Sequence, residues 1–202
     1  MPQKKEEPRQ LSALPSHPLD GAAKEIKGRL RICGCVAYTL ELEAADLAHL
    51  PRQTWQAPFS CEEGWTVPAL TWEGWRLYSL LDLARPLPTA RAVAVCAGSY
   101  AVWLTLEEAG RALLCDHLNG VPLSREHGAP WRLLVPGGKC YTSVKWVDTL
   151  LVSEAMGVST AEEIARQRLE ARRASSLVRA VGRLLYWGLA WSSPFAGERL
   201  SQ

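Results

Sequence analysis

No stretch of this 202-residue chain reaches the roughly 18 consecutive apolar residues that a membrane-spanning helix needs; the greasiest segment, Leu184 to Trp191, is far too short. Strong charge of one sign is also missing. The net charge is +2, from 23 Lys and Arg against 21 Asp and Glu, and the basic residues form no stripe interleaved with aromatics, so nucleic acid is not an expected partner. There is no CxxC pair among the six cysteines at 33, 35, 61, 96, 115 and 140, and Cys33-Gly34-Cys35 lies in an alternating apolar run, which is poor spacing for structural zinc. The opening MPQKKEEPRQLSALPSHP has neither an apolar h-region nor a twin arginine, making the cytoplasm the expected compartment and free thiols, as candidate ligands or buried groups, the expected state.

What is present supports a core. Hydrophobic residues make up 48% and charged residues 22% of the chain, as in one globular domain with short extensions. Residues 1–25, polar and punctuated by four prolines, read as an extended arm, 26–158 as the domain and 159–202 as a helical extension. Arg29 to Val36 is strand-like, and Leu40 to Leu50 reads as a short helix stopped by Pro51. From Thr54 to Cys61 the residues Trp55, Ala57, Phe59 and Cys61 alternate with Thr54, Gln56, Pro58 and Ser60, which predicts a strand ending at Cys61 on its core-facing side. Glu62-Glu63-Gly64 then breaks the strand and opens its end to solvent or a ligand.

Leu77 to Ala84 has helical spacing ended by Pro86 and Pro88, and Arg91–Ala97 with Tyr100–Thr105 predicts paired strands about Gly98-Ser99. Thr105 and Glu108 form a capping box for a short helix to Leu114, and Asn119-Gly120 marks a tight turn. Trp131–Val135 and Lys145–Val152 are the last strand signals. Thr160 and Glu163 form a second capping box, opening an Ala-, Arg- and Glu-rich helix toward Ala190 with Gly182 as a break. Short, turn-bounded strands with few long helices predict an α+β fold of mixed sheets rather than a doubly wound parallel sheet.

Two blocks carry a resemblance. Cys61-Glu62-Glu63-Gly64-Trp65, with Trp72-Glu73-Gly74 and Leu77-Tyr78-Ser79-Leu80-Leu81, forms the first. Leu118-Asn119-Gly120-Val121-Pro122-Leu123, His127-Gly128-Ala129-Pro130-Trp131-Arg132-Leu133-Leu134-Val135-Pro136-Gly137 and Ser143-Val144-Lys145-Trp146-Val147 form the second. In their order and spacing, over roughly residues 28–153, they resemble the molybdopterin-binding domain of the sulfite oxidase family. The resemblance implies an α+β fold around one pterin-dithiolene molybdenum cofactor, oxygen-atom transfer between water and a small substrate, and Cys61 as metal ligand. A thiolate suits that metal as a further soft donor, whereas Cys33, Cys35, Cys96 and Cys115 read as inert buried thiols.

By the same resemblance His127 and Arg132 contact the pterin or its phosphate, and Gly137, Gly138, Ser143, Val144 and Lys145 close over it; fixed positive charge and backbone donors are what a phosphate requires. Trp72, Trp65 and Tyr100 are placed near the metal, and His17 loosely matches an upstream cofactor-contacting His-Pro element whose usual arginine and asparagine are missing. The family's arginines for a dianionic substrate are replaced after Cys61 by Glu62 and Glu63, so a sulfite-like anion and an S- or N-oxide both stay open. With no haem segment or appended dimerisation domain in the sequence, electrons are expected to pass to a separate electron-transfer protein. The basic helix of 160–191 is a candidate surface for that partner or for a peripheral membrane contact, or packs on the domain itself. Two rival readings accompany this one: a cofactor-binding carrier module without turnover, and a hydrolase pairing a Cys61 nucleophile with His117 or His127.

Overall fold

The computed structural model describes residues 9–16, 28–167 and 170–171. In chain order its elements are β1 (Arg9–Gln10), β2 (Leu30–Gly34), β3 (Leu40–Leu42), α1 (Ala44–Leu47), β4 (Arg52–Cys61), β5 (Trp65–Arg76), α2 (Leu77–Ala84), β6 (Ala92–Ala97) and β7 (Tyr100–Thr105). Then follow α3 (Leu106–Arg111), β8 (Leu113–Leu118), β9 (Val121–Pro122), β10 (Arg132–Leu134), a single 3-10 turn at Cys140–Thr142, and β11 (Thr149–Ser153). The first sheet runs β1-β5-β8-β10, with β4 on the other side of β5 and β9 on β8; the second runs β3-β2-β11-β6-β7. Two mixed sheets of short strands with a few short helices make the predicted α+β class. Residues 1–162 form one compact unit and 163–202 another, in which 163–167 and 170–171 are helical. The remainder of the basic helix, toward Ala190 and including Gly182, lies outside the described residues, and no helix among the described residues is long and apolar enough to cross a membrane.

The 12-residue β5 organises the first sheet. Its hairpin with β4 closes at Cys61↔Trp65 through the Glu62–Gly64 turn, where Gly64 has φ 86 and donates its amide to the Cys61 carbonyl at 3.0 Å. The ladder slips between Ala57 and Phe59, so that Pro58 on β4 and Pro68 on β5, which have no N–H to give, fall where pairing is already interrupted. Upstream of the slip Trp55 is 40% exposed, which corrects its assignment to the apolar face. Downstream, Phe59 and Cys61 share one face.

Further differences from the sequence reading have local causes. Leu40–Leu50 is not one helix: Leu40–Leu42 pairs with β2, and only Ala44–Leu47 is helical, capped by Glu43 and Asp46. The Thr105–Glu108 capping box is present, but its helix ends at Arg111 because Leu113–Leu118 joins the sheet beside β5 and β10. The last strand begins at Thr149 rather than Lys145. Thr160 does not cap the final helix: its hydroxyl accepts from the Ala101 amide at 2.8 Å and donates to the Ser99 carbonyl at 3.0 Å, tying that chain to β7. Of the segment read as an arm, residues 9–16 are described; there β1 runs parallel to β5 and Leu14 is buried.

Alternation on the first sheet separates two cores. Leu114, Leu133 and Trp75 join the large cluster built with the second sheet, α2 and α3. Leu113, Cys115, Leu134, Trp72, Val67 and Leu70 face the other way into a smaller cluster, against which Phe59 and Trp65 pack. With Leu134 there, period two puts Arg132 on the smaller-cluster face too. That face carries the site.

Candidate functional site

Cys61 ends β4 half-buried, and its Sγ lies 3.2 Å from Sγ of Cys140, 79 residues away at the start of the 3-10 turn. Beside the pair, Lys139 Nζ contacts Glu62 Oε1 at 3.1 Å. The ion pair joins the residue after one cysteine to the residue before the other, and raises the Lys139 ammonium above its ordinary value. The Glu62–Glu63 turn also directs backbone amides at the sulfurs, Glu62 N–H at Cys140 and Glu63 N–H at Cys61, each favouring the charged form. The two thiols are within S–H hydrogen-bond distance, and either can be the donor. Whichever sulfur donates is raised and the other lowered; with Cys61 as donor, that hydrogen bond holds Cys140 below its ordinary value and pushes Cys61 above it. By contrast, burial pushes Cys115 up to about 12 and Cys96 up to about 11, in keeping with inert thiols.

A cationic group lies on the same face. Arg132 is 4% exposed; its guanidinium sits 5.0 Å from the centre of the Trp72 ring and 5.4 Å from that of Phe59. Its Nε donates to Ser143 Oγ at 2.9 Å and its Nη1 to the His127 carbonyl at 3.1 Å, while Ser143 donates onward to the Leu133 carbonyl at 2.9 Å. No carboxylate pairs with Arg132 among the described residues, and burial brings it down to about 10. Lys145, fixed by a 2.6 Å bond from Nζ to the Glu126 carbonyl, is brought down to about 8 by burial first and the Arg132 charge second. Its chain passes so close to Gly128 (φ 110) that a Cβ there would lie 3.0 Å from Lys145 Cβ. Neither cation has a carboxylate in ion-pair contact among the described residues, although the Glu126 charge supports Lys145, so their positive charge is incompletely answered.

The other predicted residues fall around these two groups. Val144 is buried, and its carbonyl accepts from the Leu133 amide at 2.8 Å, holding the Ser143–Lys145 segment against β10. Gly137 (φ 74) and Gly138 make the turn after β10; a Cβ on Gly138 would sit 2.7 Å from Thr142 Oγ1, so the turn packs directly on the 3-10 segment. Tyr100 donates from its hydroxyl to the Tyr141 carbonyl at 2.7 Å, bracing the turn that carries Cys140. Trp65 stacks on Phe59, with ring centres 6.1 Å apart, whereas Trp72 is 1% exposed and lies under Arg132. His17 lies outside the described residues. Cys140, Lys139 and Phe59 had no assigned role in the sequence; for Cys140 the one available hint was its position between the Gly137-Gly138 turn and Ser143.

Neither candidate imidazole meets Cys61. His127 Nε2 lies 3.1 Å from the Leu14 carbonyl and its Nδ1 3.3 Å from Ser124 Oγ, while His117 Nδ1 is 2.9 Å from Asp116 and 3.2 Å from Arg52. The thiolate–imidazole contact that the hydrolase reading requires is therefore not formed, because both rings are held by other partners. Nor do three or more His, Cys, Asp or Glu side chains gather into a metal-binding group among the described residues. A metal at Cys61 would thus draw most of its donors from a ligand rather than from the chain. Amide-supported sulfur beside an unpaired cationic pair suits a cofactor that brings its own metal donors and a phosphate.

Comparison with known proteins identifies the family. The family model described as an oxidoreductase molybdopterin binding domain matches residues 19–160. The chain is 34% identical over 159 residues to the sulfite oxidase of Arabidopsis thaliana, covering 60% of this chain and 40% of that protein. It is 29% identical over 124 residues to the uncharacterized oxidoreductase YuiH of Bacillus subtilis (strain 168), covering 60% and 63% respectively. Among solved structures, the sulfane dehydrogenase SoxCD from Paracoccus pantotrophus superposes with a TM-score of 0.59 at 28% identity, over 63% of this chain and 38% of that one. The chain thus spans less than two thirds of the length of each.

Proposed function

Since the chain belongs to the oxidoreductase molybdopterin binding domain family, whose cofactor is a molybdenum-pterin, we propose that it is a sulfite-oxidase-type enzyme. It moves an oxygen atom to or from a small substrate and exchanges electrons with a separate protein. The observation that carries this reading is the common face: the Cys61 thiol at the open end of β4, alongside a buried guanidinium that no carboxylate among the described residues neutralises. When bound, the cofactor supplies oxygen-atom transfer coupled to a two-electron change of the metal.

The chain's part is to bind and orient. Cys61 is the sulfur donor; its hydrogen bond with Cys140 and its burial hold the thiol above its ordinary value in the cofactor-free chain, the Glu63 amide opposes them, and ligation removes that proton. Arg132 and Lys145 hold the phosphate, with Ser143 and the His127 carbonyl fixing the guanidinium plane so that its hydrogen-bonding edge is preset. Tyr100 is a positioning residue acting through the Tyr141 carbonyl. Because Glu62 is engaged by Lys139, its carboxylate is partly neutralised toward an incoming anion, which keeps a sulfite-like substrate compatible with the site alongside S- and N-oxides.

Molybdenum and released pterin, measured per chain on wild type and Cys61→Ala, test the reading. Wild type is expected near one of each, and the variant to keep pterin while losing turnover of sulfite and of S- and N-oxides with dye acceptors or donors. An active Cys61→Ala removes the ligand assignment. A fully loaded wild type that neither accepts nor donates electrons establishes the carrier module instead.

A further inference from the structure

We propose that Cys61 and Cys140 form a reversible thiol-oxidation site, a disulfide that closes in the metal-free chain and withholds Cys61 from the metal. The consequence for the metal rests on the reading of Cys61 as its ligand; the oxidation itself does not.

The geometry is particular to this pair. The sulfurs are 3.2 Å apart although the residues are 79 positions apart, so the fold and not local sequence brings them together. The flanking Glu62–Lys139 contact of 3.1 Å ties the two segments at the adjacent residues and keeps each thiol at high effective concentration for the other. Both are half-buried rather than enclosed, so a small oxidant reaches them, whereas Cys115 is buried. No other two cysteines among the described residues have sulfurs in hydrogen-bond contact.

The oxidant is a small-molecule disulfide of the glutathione class. One protein sulfur attacks it, forming a mixed disulfide and expelling one small thiol; the second protein sulfur attacks the protein side of that bond, forming Cys61–Cys140 and expelling the other. Two protein thiols lose two electrons, one small disulfide gains two, and the two protons leave on the two small thiols. A sulfur already bonded to Cys140 has no charge to offer a metal, so oxidised chain is refused cofactor and loaded chain is refused oxidation.

The test uses the full chain from a host unable to make the pterin cofactor, treated with oxidised glutathione and analysed by intact mass and non-reducing peptide mapping. Expected is a loss of about 2 Da and one cross-linked peptide pair joining Cys61 to Cys140, reversed by dithiothreitol and absent in Cys140→Ser. Glutathione adducts without the cross-link, a link through other cysteines, or no reaction would overturn the site. In the second arm, reduced and oxidised wild type are each offered cofactor released from another molybdoenzyme, and bound molybdenum is counted. Oxidised chain should take up roughly tenfold less or lower still, since even indirect damage to a metal site costs that much. Equal uptake with the cross-link intact would overturn the withholding. Because the mass readout needs no metal, an active, loaded Cys61→Ala would sink the ligand assignment while leaving the oxidation result standing.

Discussion

Replacing Arg132 by Met should separate folding from cofactor capture, because the wild-type guanidinium acts against the first and for the second. Bringing it from 12.5 to about 10 by burial disfavours the folded chain by roughly 3 kcal/mol. Met fills a similar slender volume and lifts that penalty. Against it stand the loss of the cation–ring contacts to Trp72 and Phe59, about 1–2 kcal/mol, and the carbonyl of His127 left without its donor, about 1 kcal/mol. Ser143 still donates to Leu133. The opposing effects nearly cancel, so urea unfolding of cofactor-free protein should find the variant within about 1 kcal/mol of wild type. The difference should be flat across neutral pH, since below about 10 the side chain is charged in both the folded and unfolded states; wild-type stability gains from this group only as pH rises from about 10 toward 12.5. Cofactor retention behaves otherwise: removing a buried charge from an anion contact costs about 2–5 kcal/mol, at least roughly 30-fold. A variant destabilised by more than about 3 kcal/mol that still purifies with a full complement of pterin would refute the reasoning and make Arg132 a structural residue.

Lys145, brought down to about 8, should make retention of the phosphorylated cofactor weaken as pH rises through that value, and Lys145→Arg should move the fall upward by keeping the charge; a pH-independent retention would contradict its role. Folding runs the other way, since the unfolded lysine holds its proton up to 10.5 and the folded one does not, so this residue adds stability between about 8 and 10.5. Thr105→Ala should lower stability by about 1 kcal/mol in urea, because Thr105 Oγ1 accepts from the Glu108 amide at 3.1 Å and no other hydroxyl replaces it. Gly74→Ala should prevent folding or lose more than about 3 kcal/mol, since its Cβ would overlap the Leu114 carbonyl and Cys115 Cα of β8. Gly64→Ala, with φ 86 but open space, should lose only about 1 kcal/mol; equal effects would show that backbone approach at Gly74 is not limiting.

The parts of this chain that its sequence displays are those where one local rule operates unopposed. Arg91–Ala97 and Tyr100–Thr105 flank the Gly98-Ser99 break as apolar, β-branched and aromatic runs and form β6 and β7, and Thr105 with Glu108 makes a capping box whatever surrounds it. β5 shows no such pattern: Trp65 and Thr66 pair with β1, Trp72 to Arg76 with β8, and the slip at Pro68-Ala69 reverses the alternation, so that Val67 and Leu70, three residues apart, face the same core. A strand interrupted by a bulge has no single period to read. Leu113–Leu118 is lost for a related reason, since the capping box upstream argues for helix until the sheet edge captures the chain two residues after Arg111. At the site, the order and spacing of motifs carried Cys61, Arg132 and Lys145, each of which stands within a recognisable block. Cys140 lies between two blocks, and nothing in Gly137-Gly138-Lys139-Cys140 indicates a partner, because the signal is a 3.2 Å contact across 79 residues. The Lys139–Glu62 pair is equally silent in sequence, and it changes the chemical reading of the two glutamates after Cys61, which on paper repel an anion and in the fold have one carboxylate already answered by an ammonium. What the linear order hides is therefore which charges and sulfurs cancel each other, and in this chain that cancellation sets what the site can accept.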